Sequence, residues 1–197
     1  MIEVEKKVAL KEADLKSIER LGTFLGSRIL TDTYFDTPDF RYTTSDIWLR
    51  ERECQFELKV GIKGLKGAID HYEEITDETK ILKELGLDKE KDLSKALTSA
   101  KIYPYATFQT IRRKYQIEEF TIDLDLAYFD DFIYRTAEIE LMVNSIAKIP
   151  QAEEAINKFI KKLGFDHSRP VKAKLIEFLS QKNPTHYQAL IASGIVK

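Results

Sequence analysis

The sequence predicts an α+β fold: an eight-stranded antiparallel β-barrel with a charged interior and helices packed on its outside. Three observations lead there. Eight short segments rich in Ile, Val, Thr, Tyr and Phe alternate in character from one residue to the next, as strands do. Seven of the eight put ionisable residues on one face and apolar residues on the other. Four more stretches repeat apolar residues at helical spacing, so each needs an apolar surface to cover.

In chain order, residues 2–8 form the first strand, with Glu3, Glu5 and Lys7 on one face and Ile2, Val4 and Val8 on the other. Leu10, Leu15, Ile18 and Leu21 predict a helix, and residues 28–36 a strand. In the strand 46–53, Arg50 and Arg52 oppose Leu49; in 56–62, Glu57 and Lys59 oppose Phe56, Leu58 and Val60. The parity changes between Arg52 and Glu57, which a tight turn near Cys54 and Gln55 produces by ending one strand and starting its hairpin partner. The strand 69–76 sets Tyr72 and Glu74 against His71, Glu73 and Ile75. A second helical stretch holds Ile81, Leu82, Leu85, Leu93 and Leu97. Strands 106–117, 119–129 and 133–143 follow. They oppose Arg112 and Lys114 to Ile111 and Tyr115, Asp123 and Asp125 to Ile122, Leu124 and Leu126, and Glu138 and Glu140 to Ile139 and Leu141. Asp130 and Asp131 read as a solvated loop. Two helical stripes close the chain: Ala152, Ile156, Phe159, Ile160 and Leu163, then Leu175, Ile176 and Leu179.

Composition sets the bounds. A chain of 197 residues, 43% hydrophobic and 32% charged, with 8 Gly and 5 Pro, fits one domain over residues 1–197, the helices from about 150 packing on the barrel. A net charge of -2 lacks the broad positive field of a nucleic-acid binder, so no nucleic-acid partner is expected. The longest apolar run, 189–196, falls far short of a bilayer span of about 20 residues, and no membrane partner is expected. No signal or transit pattern is read at the N-terminus, which makes the cytoplasm the expected compartment. A monomer is the expected state. Cys54 has no second cysteine to pair with, and His71, His167 and His186 are scattered, so neither a thiol nucleophile nor a zinc cage is expected.

An antiparallel sheet with its charged face in water would satisfy any one strand. Here the polar positions are nearly all Glu, Asp, Arg or Lys, sorted by strand into acidic and basic sets, and the helices need the apolar face. An inverted barrel meets both conditions. Burying charge costs several kcal/mol unless it is paired or ion-bound, so stability alone does not explain the pattern. Glu3, Glu5, Asp123, Asp125, Glu138 and Glu140 suit a hard divalent cation. Lys7, Arg50, Arg52, Lys59, Arg112 and Lys114 suit an anion with many oxygens. The implied ligand is a metal-bound polyphosphate, with magnesium first and manganese as the alternative.

Glu3-Val4-Glu5-Lys6-Lys7 reads E-x-E-x-K. It is followed in order by Tyr34-Phe35-Asp36-Thr37-Pro38, Trp48-Leu49-Arg50-Glu51-Arg52, Phe56-Glu57-Leu58-Lys59, Thr110-Ile111-Arg112, Asp123-Leu124-Asp125 and Glu138-Ile139-Glu140. The series resembles the CYTH, or triphosphate tunnel metalloenzyme, superfamily over nearly the whole chain. Tyr34, Trp48 and the tail around Ala173-Lys174-Leu175-Ile176 and Pro184-Thr185-His186-Tyr187 resemble its thiamine-triphosphatase branch. The resemblance implies triphosphate binding by Lys7, Arg50, Arg52, Lys59, Arg112 and Lys174, metal binding by Glu3, Glu5, Asp123, Glu138 and Glu140, and thiamine contact by Tyr34 and Trp48. Asp125 and Glu74 join the metal set, and Lys114 the substrate set, on strand phase. Lys174 would sit on a helix that closes one tunnel mouth.

The expected reaction is metal-dependent hydrolysis of a small-molecule triphosphate, thiamine triphosphate, to thiamine diphosphate and phosphate. Cationic clamps and a metal supply what phosphoryl transfer needs, so no protein nucleophile is required. A water activated by the metal or a basic group attacks the terminal phosphorus as the diphosphate leaves toward the arginines. Lys7, Tyr34 and Lys59 are the candidate catalytic residues. Lys7 with Tyr34 resembles a lysine–tyrosine general-base pair of some bacterial relatives, a role that competes with Tyr34 as an aromatic wall. Trp48, without the resemblance, reads more readily as a core or barrel-wall residue than as a ligand contact. The same clamps admit an inorganic tripolyphosphatase or a general nucleoside triphosphatase. A class IV adenylate cyclase and a non-catalytic polyphosphate-binding module stand behind them.

Overall fold

The computed structural model describes residues 1–62, 70–88, 92–165 and 171–196. His167 and Ile69, the first residue of the expected fifth strand, lie outside the described residues. The strands are β1 (Ile2–Val8), β2 (Thr23–Asp36), β3 (Ile47–Arg52), β4 (Gln55–Gly61), β5 (Asp70–Ile75), β6 (Tyr103–Ile117), β7 (Phe120–Phe129) and β8 (Phe132–Val143). The helices are α1 (Glu12–Leu21), α2 (Glu78–Glu84), α3 (Leu93–Ser99), α4 (Ile149–Leu163), α5 (Lys174–Lys182) and α6 (Pro184–Ala192). Hydrogen bonding runs β1-β5-β4-β3-β2-β6-β7-β8 and closes on itself, an eight-stranded antiparallel barrel with the helices packed outside. No described helix is long and apolar enough to cross a membrane.

The chain forms two compact units. The first comprises Met1–Leu30, Ile62–Tyr72 and Gln109–Lys174; the second comprises Thr31–Gly61, Glu73–Phe108 and Leu175–Lys197. Each has its own apolar core. In the first, Val4, Val8, Ile122, Leu124, Ala137 and Ile139 meet Ile149, Ala152, Ile156, Phe159 and Ile160 of α4. Phe120 stacks on Phe159 at 4.2 Å. Pro150 opens α4 without sacrificing a hydrogen bond, and Gly164, at φ +73°, ends it in the left-handed conformation that glycine adopts without strain. In the second unit, Leu49 and Leu58 pack with Ile81, Leu82, Leu85, Leu93 and Leu97. In both units the strands give their apolar face to the helices, which leaves the ionisable face on the other side.

Register follows from the turns. Arg52 pairs with Gln55, and between them Glu53 (φ +50°) and Cys54 (φ +64°) make a two-residue turn with both positions left-handed. This turn produces the parity change and sets Arg50 directly opposite Glu57. Phe129 and Phe132 flank a second two-residue turn at Asp130 and Asp131, in which Asp130 but not Asp131 is left-handed (φ +56°).

Three elements differ from expectation. The stripe from Ile81 to Leu97 is two helices, because Gly86 turns left-handed (φ +69°) after α2 and the Asp92 side chain caps a new start by accepting from Lys95 N–H. β2 begins at Thr23 rather than 28; Thr23, Phe24, Leu25, Ser27 and Arg28 are exposed and show no alternation of burial. α6 is an additional helix, capped by the Asn183 side chain accepting from His186 N–H, with Pro184 in its first turn.

Candidate active site

In the first unit, β1, β8, β7 and β6 bring alternating residues into one ionic surface. Register sets Glu5 opposite Glu140, Lys7 opposite Glu138, Asp123 opposite Glu138, Lys114 opposite Asp123 and Arg112 opposite Asp125. Glu3, Glu5, Asp123, Asp125 and Glu138 are all buried. Carboxylate oxygens of Glu3, Glu5 and Glu140 lie within 4.8 Å of one another, and so do those of Asp123, Glu138 and Glu140. Glu140 thus belongs to both groups.

Cations hold this surface unevenly. Arg112 chelates Asp125 through Nε at 2.8 Å and Nη2 at 2.6 Å, and reaches Glu138 at 2.8 Å. Lys174, buried at the start of α5, donates to Glu138 at 2.9 Å and also to Asp125. Lys7 donates to Glu5. Lys114 lies 3.0 Å from Asp123 and 3.7 Å from Glu140. Arg112 also pairs ionically with Asp123, yet neither Asp123 oxygen accepts a well-formed hydrogen bond among the described residues.

The electrostatic result separates two residues on one strand. Burial opposes ionisation of Glu138, but Lys174, Arg112 and Lys7 outweigh it and hold the carboxyl well below the usual range. Burial pushes Glu140 well above that range; Asp123 and Glu3 add to the push and Lys114 only partly relieves it. Among the described residues of this unit, Glu3, Glu5, Asp123, Asp125, Glu138 and Glu140 face Lys7, Arg112, Lys114 and Lys174, so carboxylates are in excess of cations there. An all-oxygen donor set with this excess fits a hard divalent cation. Asp125, engaged by Arg112 and Lys174, and Glu74 lie outside both carboxylate groups.

In the second unit the same geometry produces closed pairs. Arg52 chelates Asp32 at 2.6 and 2.8 Å, Arg50 donates to Glu57 through Nε at 2.8 Å and Nη2 at 2.5 Å, and Lys59 lies 3.1 Å from Glu74. Burial works against the Arg50 charge, but Tyr34, Asp32 and Glu57 more than offset it and raise its pKa. Tyr34 pairs with Arg50 across β2 and β3, and Trp48 with Lys59 across β3 and β4. Both aromatics therefore share the cationic face, away from the apolar core. Trp48 donates from Nε1 to Asp46 at 2.9 Å. Residue 61 must be glycine for this, since a Cβ there would come within 1.9 Å of the Asp46 carboxylate.

Several contributors escape sequence reading. Asp32, fully buried, shares strand parity with Tyr34, which is the signal that could have found it. Phe108 stacks on Tyr34 at 5.7 Å, and Tyr105 lies 6.5 Å from it. His186 is fully buried and its pKa is pushed down to about 4 by burial, with Asp36 resisting. Thr110 and Thr136 bury hydroxyls that have no hydrogen-bond partner among the described residues.

The CYTH domain matches residues 1–170. Thiamine-triphosphatase of Macaca fascicularis is 33% identical over 97% of this chain and 90% of its own length, and the Homo sapiens enzyme is 32% identical with the same coverage. A solved protein of Pyrococcus horikoshii OT3 superposes with a TM-score of 0.63 at 22% identity, covering 92% of this chain and 99% of that one. Its likeness is one of fold.

Proposed function

The chain belongs to the CYTH family, and we propose that it hydrolyses thiamine triphosphate to thiamine diphosphate and phosphate with the help of a divalent cation. The matched relatives are named for triphosphate hydrolysis, and this chain is a triphosphate-hydrolysing enzyme. The observation that supports the choice of substrate is the face shared by Tyr34, Arg50, Trp48 and Lys59, where aromatic rings stand beside cations that would bind phosphate. A cationic thiazolium on an aromatic face gains about 0.5 to 2 kcal/mol.

Glu3, Glu5, Asp123, Glu138 and Glu140 would hold magnesium, or manganese in its place. Bound there, the ion would neutralise charge on the phosphate oxygens. Arg112 and Lys174 orient Asp125 and Glu138 and keep Glu138 ionised, and Lys7 and Lys114 sit beside the carboxylates as further cations. Arg50, Arg52 and Lys59 exchange their carboxylate partners for phosphate oxygens when substrate arrives, which positions the chain of phosphates for in-line attack by water. Lys7 is tied to Glu5 as a cation, which favours its role as a clamp; Tyr34 is the wall for the organic group.

Phosphate release from thiamine triphosphate, tripolyphosphate and ATP, each in magnesium and in EDTA, tests this reading. We expect a preference for thiamine triphosphate of about a hundredfold in kcat/KM, roughly 2.7 kcal/mol, and no turnover in EDTA. Trp48→Ala should lower thiamine triphosphate turnover about tenfold and tripolyphosphate turnover far less. Equal loss on both substrates would sink the thiamine reading. Tripolyphosphate would then be the substrate, a second reading favoured by Trp48 being hydrogen-bonded into its own strand region.

A further inference from the structure

The helices α5 and α6 begin at Lys174 and Pro184, beyond the residues that match the CYTH domain. From each, one ring reaches toward Tyr34. Phe178 of α5 lies 5.5 Å from Phe108, centroid to centroid, and Phe108 stacks on Tyr34 at 5.7 Å with 27° between planes. His186 of α6 meets the Tyr105 ring edge-on at 4.6 Å, and Tyr105 lies 6.5 Å from Tyr34. His186 is itself immobilised: Phe40 stacks on it at 4.0 Å and 9°, and its Nε2 is 2.7 Å from the Thr43 hydroxyl.

A wall for a flat cationic ring works only if its own ring is held at one angle, because face contact falls off steeply with tilt and distance. Tyr34 is 8% exposed, so its angle is set by what stands behind it. We propose that α5 and α6 form a two-armed brace for Tyr34, with Phe178 acting through Phe108 and His186 through Tyr105. Phe178 and His186 are then positioning residues for the thiamine moiety, and discrimination among triphosphates resides partly in a segment outside the matched domain. This inference rests on the thiamine reading of the site.

The test is a comparison of kcat/KM for thiamine triphosphate and for tripolyphosphate in Phe178→Leu, Phe178→Tyr and His186→Gln, each also made in a Tyr34→Ala background. Phe178→Leu and His186→Gln should each lower the thiamine triphosphate value about tenfold through KM, leave tripolyphosphate within about twofold, and add nothing once Tyr34 is gone. Phe178→Tyr, which keeps the ring, should restore the wild-type ratio. Equal losses on both substrates, no loss on either, or a loss that persists without Tyr34 would each overturn the brace. Failure of the thiamine reading shows separately, as a wild-type enzyme with no preference for thiamine triphosphate.

Discussion

The two units bury charge by opposite rules. In the second, Arg52 has Asp32, Arg50 has Glu57 and Lys59 has Glu74, so each of these cations meets a carboxylate in place. Among the described residues of the first, Lys7, Arg112, Lys114 and Lys174 are fewer than the carboxylates they face, and Glu140 is the one whose pKa is pushed up. Identical strand geometry thus yields closed ion pairs in one unit and a carboxylate-rich set in the other. Buried ion pairs become costly when one member is removed, whereas an excess charge becomes costly by remaining.

Single substitutions should therefore move stability in opposite directions. Arg52→Ala leaves the fully buried Asp32 without its chelating partner and should cost about 3 kcal/mol in denaturant unfolding, with or without magnesium. Glu140→Gln should raise the melting temperature in EDTA, because burial and like charge oppose ionisation of Glu140, and should abolish the magnesium-dependent rise expected of the native protein. If Glu140→Gln instead lowers stability in EDTA, the imbalance ascribed to the first unit is wrong. The smallest effect is in pH dependence. Glu140 binds its proton more tightly folded than unfolded, so its contribution is lost as pH rises above about 4.5 into its raised range. His186 runs the other way. Its folded pKa of about 4 lies under the ordinary 6.5, so the unfolded chain takes up the proton first and stability declines as pH falls between these values. His186→Gln should flatten that acid limb in thermal melts, and an unchanged limb would remove His186 as its cause.

Strand alternation made the charged face legible, because side-chain direction in a strand follows from position alone. The parity change at Arg52 and Glu57 was enough to predict the turn that sets their register. Partner choice was not legible: that Asp32 takes Arg52 depends on β2 lying beside β3, a long-range pairing no local pattern encodes. Lys174 shows the same limit, since its partners Asp125 and Glu138 are 49 and 36 residues away, and only the resemblance marked it. The helix α6 was missed because Ala189, Leu190 and Ile191 are apolar in succession and show no stripe. Its start was nonetheless written in Asn183 and Pro184.

The pairing of β1 with β8 joins Ile2 to Val143, so nearly three-quarters of the chain separates the two sides of this seam. Contacts so distant in sequence form late, because the loop entropy they cost is recovered only when both strands are in place. Glu3 and Glu5 enter from one side of the seam and Glu140 from the other. In a partly folded chain Glu3 and Glu5 can exist without meeting Glu140. Crowding across the seam therefore arises only as it zips, on top of the crowding of Asp123, Glu138 and Glu140 that the β7–β8 hairpin already makes by itself.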